Sequence, residues 1–299
     1  RAQGIDPFYA NDYTISDLGS APGVPENYGG ITFMHDDPNT LLLGGNANNA
    51  SAQLFSIDVI RGQGDHITGF GPSSSFFANV PGISGSDGID GGLVYGPGNV
   101  LFYTSYSDNS LGQIKPGSSG PDRQIDLTPL GVGDSVGTVT FVPPGFPGAG
   151  QMKIASYSAG EWYDVSISPD GNGTYNIDSV GSPISVGSGP EGIIYVAAGN
   201  PGFASPSILL SDYGLDAILS FEIDANGDPI PSTQRTFITG LSGALGADID
   251  PLTGDFLFST YGGANHVLSV QGFTMVPEPS TYLLMALGFA GLVAFTRKR

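Results

Sequence analysis

One short pattern recurs five times along the chain: a glycine followed by a run of apolar and β-branched residues. It stands at Gly30 (Gly-Ile-Thr-Phe), Gly92 (Gly-Leu-Val-Tyr), Gly137 (Gly-Thr-Val-Thr-Phe), Gly192 (Gly-Ile-Ile-Tyr) and Gly246 (Gly-Ala-Asp-Ile). The intervals are 62, 45, 55 and 54 residues. The third copy is displaced by about one residue in the pattern, and the fifth is more polar. Self-similarity at such a period means that one supersecondary unit is built again and again, so the repeat restricts the fold more than any single residue does.

Inside each unit the punctuation is regular. A turn rich in Pro, Gly, Asn and Asp follows the first run, as in Asp37-Pro38-Asn39, Pro97-Gly98-Asn99, Pro143-Pro144-Gly145 and Asp250-Pro251-Leu252-Thr253-Gly254. These residues suit turns because they pre-set φ or tolerate positive φ. A second apolar run comes next: Leu41–Leu43, Val100–Tyr103, Met152–Ala155, Ile208–Leu210 and Phe256–Phe258. In four copies it ends in Ser or Thr beside a tyrosine (Tyr106, Tyr157, Tyr213, Tyr261), and in the first Gly45-Asn46 stands there instead. A third run alternates, as in Leu54–Val59 and Ile218–Ile223. Fourth runs lie at Phe76–Val80, Arg123–Leu127, Tyr175–Asp178 and Gln234–Ile238.

Four strands in each repeat of about 50 residues describe the blade of a β-propeller. The reading is therefore an all-β chain with five blades, six being the alternative. The last repeat reaches only its third strand, His266–Val270, and Tyr13–Leu18 is a spare strand at the other end. Pairing the two closes the ring and removes an exposed sheet edge. The propeller is expected over residues 12–272, after an N-terminal segment of residues 1–11.

Composition sets the outer limits. No cysteine is present, so disulfides, thiolate metal sites and a cysteine nucleophile are excluded. Ahead of residue 276 the chain carries six basic and 27 acidic residues, a net charge of −21. Such a field repels phosphate backbones and anionic lipid, which excludes nucleic acid as a partner and favours divalent cations. The 47 glycines and 23 prolines fit short strands and tight turns, while 39% hydrophobic residues are enough for a packed core.

The C-terminus follows different rules. Val276-Pro277-Glu278-Pro279-Ser280 leads into an apolar run that Arg297-Lys298-Arg299 ends. This order resembles the PEP-CTERM sorting tail of exported Gram-negative proteins, which an exosortase recognises. The two prolines favour an extended, accessible segment. Residues 281–296 make roughly 24 Å of helix at ~1.5 Å per residue, short of the ~30 Å hydrocarbon core. Three terminal cations would hold that end in the cytoplasm. The resemblance implies a linker over residues 273–280, and over 281–299 a transmembrane helix with a basic stop. It implies a transient single-pass anchor and delivery to the envelope surface or an exopolysaccharide-rich extracellular matrix, as for biofilm-associated proteins. An export leader is expected to have been removed ahead of Arg1.

A second resemblance lies within the body. Gly189-Pro190-Glu191-Gly192-Ile193, then Ser211-Asp212-Tyr213 and Ile218-Leu219-Ser220-Phe221, is similar to a repeat of the NHL and gluconolactonase-like propellers. Those relatives include binding platforms and calcium-dependent lactonases. In a propeller the turns joining strands 2 and 3 share a face with the connections from strand 4 to the next strand 1. That face collects Asn46, Tyr106, Tyr157, Tyr213 and Tyr261 from the first loop type. Asp87, Asp90, Asp134 and Glu191 come from the second, and Trp162 lies near. Rings beside carboxylates suit a sugar, since rings cover its apolar faces and carboxylates accept from its hydroxyls. The competing reading packs the tyrosines between blades with their hydroxyls tied to neighbouring loops.

His35, His66 and His266 have no metal-ligand spacing, and no Gly-x-Ser-x-Gly elbow occurs. Asp224-x-Asn226-Gly227-Asp228 lacks the later Glu of a calcium loop and reads as a hairpin turn. The preferred function is a non-enzymatic platform that binds a matrix glycan or a surface protein and needs no cofactor. The alternative is a calcium-assisted, lactonase-like hydrolase with Asp90, Glu191 and Asp248 as axial ligands.

Overall fold

A computed structural model describes residues 3–263 and 265–274. Five antiparallel sheets form in sequence order, each with consecutive strands as neighbours. Blade 1 contains Ile31–Met34, Asp37–Gly45, Gln53–Arg61 and Ile67–Asn79. Blade 2 contains Gly88–Tyr95, Leu101–Tyr106, Ser110–Ile114 and Arg123–Asp126. Blade 3 follows with Val136–Phe141, Met152–Ser156, Glu161–Pro169 and Tyr175–Val180. Blade 4 has Pro190–Val196, Ser207–Asp212, Ala217–Glu222 and Arg235–Thr239. Blade 5 has Ala244–Ile249, Phe256–Thr260 and Val267–Gln271.

The fourth strand of blade 5 is Thr14–Asp17, paired with Val267–Gln271 through Thr14 opposite Gln271 and Asp17 opposite Leu268. The expected closure of the ring by the N-terminal strand is thus observed, with five blades and not six. The 62-residue first interval is filled by strand more than by loop. Its outer two strands run for 9 and 13 residues because apolar alternation continues through Ile60 and Phe70. Ahead of the closing strand, Gly4–Ile5 adds a fifth strand to the outer edge of blade 4. Tyr9 and Tyr13, each 2% exposed, fill the seam between blades 4 and 5 against Phe203, Phe237 and Phe273.

The second apolar run of each repeat reads as continuous because both of its faces are covered. Leu41 and Leu43 pack toward blade 5 while Leu42 packs toward blade 2; Leu257 faces blade 1 while Phe256 and Phe258 face blade 4. Each of the five gaps between blades holds one such apolar cluster. The repeated glycine marks the place where neighbouring inner strands come closest. A Cβ on Gly30 would lie 2.5 Å from Leu93 of blade 2, and one on Gly92 2.7 Å from the Val139 nitrogen of blade 3. The series continues with Gly137 at 2.2 Å from the Pro190 oxygen, Gly192 at 2.5 Å from the Leu245 oxygen, and Gly246 at 2.7 Å from the Gly30 Cα. Five contacts of one kind, each to the next blade, complete the circle. That is why the sequence repeats a glycine there and not an alanine.

Three cations of the body clamp blades together. Arg61 makes a bidentate pair with Asp250 (2.7 and 3.0 Å), joining blades 1 and 5. Arg123 reaches Asp170 at 2.9 Å, joining blades 2 and 3. Lys153, fully buried, joins blades 3 and 4 through Asp228 at 2.7 Å, and it also bonds Asp164 within its own blade. Among the described residues no helix is long and apolar enough to cross a membrane. The sorting motif and the expected transmembrane helix lie outside the described residues.

Candidate functional site

Four blades place a tyrosine where strand 2 turns into strand 3, and all four rings stand around one mouth of the axial channel. Their centroids follow one another at 5.8 Å (Tyr106–Tyr157), 5.9 Å (Tyr157–Tyr213) and 6.2 Å (Tyr213–Tyr261), with interplanar angles of 67–86°. Edge-to-face contact of this kind is favoured by the ring quadrupoles, so the collar supports itself. All four side chains are half-buried, and none of their hydroxyls bonds to a described residue. Of the competing reading, the packing of rings between successive blades is present, while no hydroxyl is tied to a neighbouring loop among the described residues. The collar opens into a cavity of about 240 Å³ whose other walls are Asn48, Asp90, Glu191 and Leu245.

Asp90 and Glu191 form the floor, 1% and 2% exposed. Asp90 stands two residues and Glu191 one residue before the repeated glycine, where the inner strand bulges between Ile89 and Leu93 and between Pro190 and Ile193. A bulge re-aims side chains, and here it brings two carboxyls of different blades to the channel mouth. Glycines make the room, since a Cβ on Gly91 would lie 2.4 Å from the Glu191 Oε2 and one on Gly137 3.0 Å from it. The Asn48 amide and the Gly91 N–H approach the Asp90 carboxyl, yet neither of its oxygens completes a hydrogen bond. The Glu191 Oε2 and the Asn48 Oδ1 are likewise without a partner.

Burial holds both carboxyls well above the usual carboxylate range. For Glu191 the neighbouring charge of Asp90 adds to that, and Asp212 contributes further. Desolvation of two like charges at one place favours their protonated forms. Burial, and then the adjacent carboxyls and phenols, raises Tyr157 and Tyr261 as well, so these phenols stay protonated donors at the rim. The site offers phenol O–H donors above and two buried carboxyls with unsatisfied oxygens below.

Other residues singled out in the sequence lie elsewhere. Trp162 is fully buried between blades 3 and 4, its Nε1 donating to Asp228 at 2.8 Å, and has no access to the cavity. It is a core residue because its own side of the strand faces the apolar gap between blades 3 and 4 rather than the mouth. Asn46 takes a positive φ in the loop but is not part of the wall; Asn48, two residues on, fills that place. Asp87 accepts from Ser107 and Asp134 from Asn109 outside the cavity.

Asp248 does not line the cavity of the carboxyl pair; it lines a separate one together with Leu93, Val139 and Ile193. It accepts from the Phe33 and Ile249 N–H groups at 2.8 Å, and burial pushes its carboxyl up to about 6. The three proposed axial ligands therefore do not converge, and among the described residues no group of three or more His, Asp or Glu is arranged to hold a metal. Asp90, Glu191 and Asn48 supply fewer donors than the six to eight oxygens that calcium takes. The three histidines each pair with a separate aspartate: Asp36, Asp255 and Asp17. The Asp224–Asp228 segment is a hairpin turn in which Asp224 accepts from the Asn226 and Asp228 N–H groups, with Gly227 at φ 83°.

Asn48 and Leu245 were not read from the sequence. Leu245 could have been, because it precedes Gly246 as Glu191 precedes Gly192. Asn48 could not, because its place depends on a loop in which Asn46 and Asn48 both adopt left-handed φ.

Residues 276–299 match the PEP-CTERM protein-sorting motif. That motif implies an exported, envelope-associated protein recognised by an exosortase. No curated protein sequence matches the chain. Among solved structures, a glucose dehydrogenase from Thermus thermophilus is 12% identical, with 87% of this chain and 100% of that chain covered and a TM-score of 0.48. A gluconolactonase assignment is 13% identical (90% and 97% covered, TM-score 0.46). The PQQ domain of a pyranose dehydrogenase from Coprinopsis cinerea is 10% identical (90% and 97%, TM-score 0.44). The propeller assignment rests on the sheet order, not on these neighbours.

Proposed function

We propose that the protein is a non-enzymatic platform on an exported surface protein, and that its tyrosine-rimmed funnel binds a glycan of the surrounding matrix. One observation carries this reading: four half-buried tyrosines with free hydroxyls stand over unsatisfied carboxyl and amide oxygens in a single cavity. Aromatic rings cover the C–H faces of a sugar, and a few convergent polar groups fix its orientation. The sorting tail supports the location, since it directs the body to a surface where glycan is the medium. There the tail would be a temporary anchor, cut near Pro277-Glu278-Pro279.

Two measurements test the reading. A glycan array probed with the wild type and with the combined Tyr106→Ala, Tyr157→Ala and Tyr213→Ala variant should show hits that the variant loses. An array without hits, together with unchanged matrix association of the variant, would reduce the tyrosines to packing residues. Mass spectrometry of the mature surface form should find no Arg297-Lys298-Arg299 terminus. An intact terminus there contradicts processing of the tail.

A further inference from the structure

Every uncommitted acceptor of the funnel points to one kind of guest. Four oxygen atoms at the cavity complete no hydrogen bond among the described residues: both of Asp90, Oε2 of Glu191 and Oδ1 of Asn48. The Asn48 amide and the Gly91 N–H approach the Asp90 carboxyl, and the Gly91 N–H also approaches that of Glu191. Buried acceptors of this kind are costly to leave unpaired, and a ligand that supplies N–H donors and positive charge recovers that cost. A primary ammonium brings three donors on one atom. The collar above adds four aromatic rings, whose faces attract cations and cover sugar rings alike.

We propose that the cavity selects a sugar unit carrying a free primary ammonium, a hexosamine whose amine is not acylated, with the ammonium seated on Asp90, Glu191 and Asn48 and the ring held by the tyrosine collar. The inference rests on the glycan-binding reading and narrows it to one class. An N-acylated amine is neutral and would leave both carboxyls without a cationic partner. A uronate would set a further carboxylate against a pair whose ionisation burial already opposes, inside a body of net charge −21. A bare metal ion would satisfy the oxygens but gives the collar no role.

Seating the ammonium should stabilise the ionised carboxyls and release their protons to solvent, so binding weakens as pH falls and the carboxyls hold their protons more firmly. The charged and titratable groups that face the pair are Asp212 and the phenols Tyr106, Tyr157, Tyr213 and Tyr261. Asp212 is held by the Ser188 and Leu215 N–H groups and the Ser188 hydroxyl.

The experiment is a calorimetric titration of the full propeller body with a short β-linked glucosamine oligomer, its fully N-acetylated counterpart of equal length, and calcium alone. The free-amine oligomer should bind about tenfold or more tightly than the acetylated one, the scale expected when charged hydrogen bonds are withheld from buried acceptors. Glu191→Gln keeps the shape and removes a charge. It should erase that preference while thermal melts show the fold intact. Equal binding of the two oligomers, or a preference that survives Glu191→Gln, overturns the ammonium inference and leaves the glycan platform standing. Calcium alone raising the melting temperature of the wild type but not of Glu191→Gln would assign the oxygens to a metal and overturn it too. Should neither oligomer bind, and no array glycan either, the platform reading itself fails.

Discussion

Removing the charge of Lys153 should cost the propeller more than the loss of any other single cation. Its Nζ is fully enclosed between blades 3 and 4 and meets Asp228 at 2.7 Å, the Asn226 carbonyl at 3.0 Å and Gln151 at 3.1 Å. Asp164 also bonds it, but that carboxylate is 45% exposed and water screens its share to about 0–1 kcal/mol. Asp228, only 5% exposed, has no such relief. Lys153→Met keeps most of the side-chain volume and leaves Asp228 buried with the Trp162 N–H as its remaining donor from a side chain. Breaking a buried pair by removing one partner costs about 3–5 kcal/mol, and the retained indole bond argues for the lower end, about 3 kcal/mol. Against a typical total of about 5–15 kcal/mol that is a large fraction.

The chain contains its own reporter for this event, because Trp162 is its only tryptophan and its indole touches the same carboxylate. Urea unfolding followed by tryptophan emission should show the midpoint falling by about 1 M, taking a slope of about 3 kcal/mol/M. Asp228→Asn added to Lys153→Met removes the orphaned charge and should recover part of the loss, a coupling within the about 0.5–3 kcal/mol found for neighbouring groups. A midpoint shift under about 0.3 M would put the pair in the class of exposed ion pairs and refute the clamp. Failure of the double variant to recover anything would show that the cost lies in packing, not charge.

Three further outcomes follow from the structure. Tyr13→Ala, which empties a ring that is 2% exposed and withdraws a 2.8 Å hydrogen bond from the Pro201 carbonyl, should cost about 3–5 kcal/mol in a urea melt; deleting residues 1–19 should expose the Val267–Gln271 edge and produce oligomers on size-exclusion chromatography. The melting temperature should fall as pH rises from about 4 through the raised values of Asp90, Glu191 and Asp248 (about 6 for the last), because over that window the native state binds more protons than the unfolded chain; Asp90→Asn with Glu191→Gln should flatten most of the slope, and a wild-type melting temperature that rises with pH there would contradict the buried-carboxyl account.

The fold was legible because its determinants are periodic and local. The glycine at each blade's inner strand, the turn after it and the two-faced apolar run all repeat, and each has a physical reason that holds in every blade. Closure was legible from arithmetic alone, since blade 5 lacked a strand and Tyr13–Leu18 stood spare. What escaped notice was aperiodic. The extension of the outer strands of blade 1 and the docking of Tyr9 beside Phe203 depend on tertiary contacts that no repeat announces.

The site divides along the same line. The four tyrosines were found because they repeat, and the collar they form is a consequence of the propeller's symmetry. The floor is where symmetry breaks: Asp90 and Glu191 lie near the repeat glycine in two blades, while Leu245 and Val136 stand immediately before it in two others. Asp248 looked equivalent from sequence distance alone, but it follows its glycine instead of preceding it, and it lines a different cavity from Asp90 and Glu191. Trp162 misled for a related reason, since closeness to Tyr157 in sequence says nothing about which side of a strand a ring leaves. A symmetric fold gives five equivalent positions, and a ligand with one charged end needs them unequal. The cations do not blur that asymmetry. Arg61, Lys115, Arg123 and Lys153 are all paired with carboxylates and Arg235 stacks over Phe8, so none of these five faces the funnel. The acidic floor beneath the tyrosines keeps its acceptors for whatever enters from solvent.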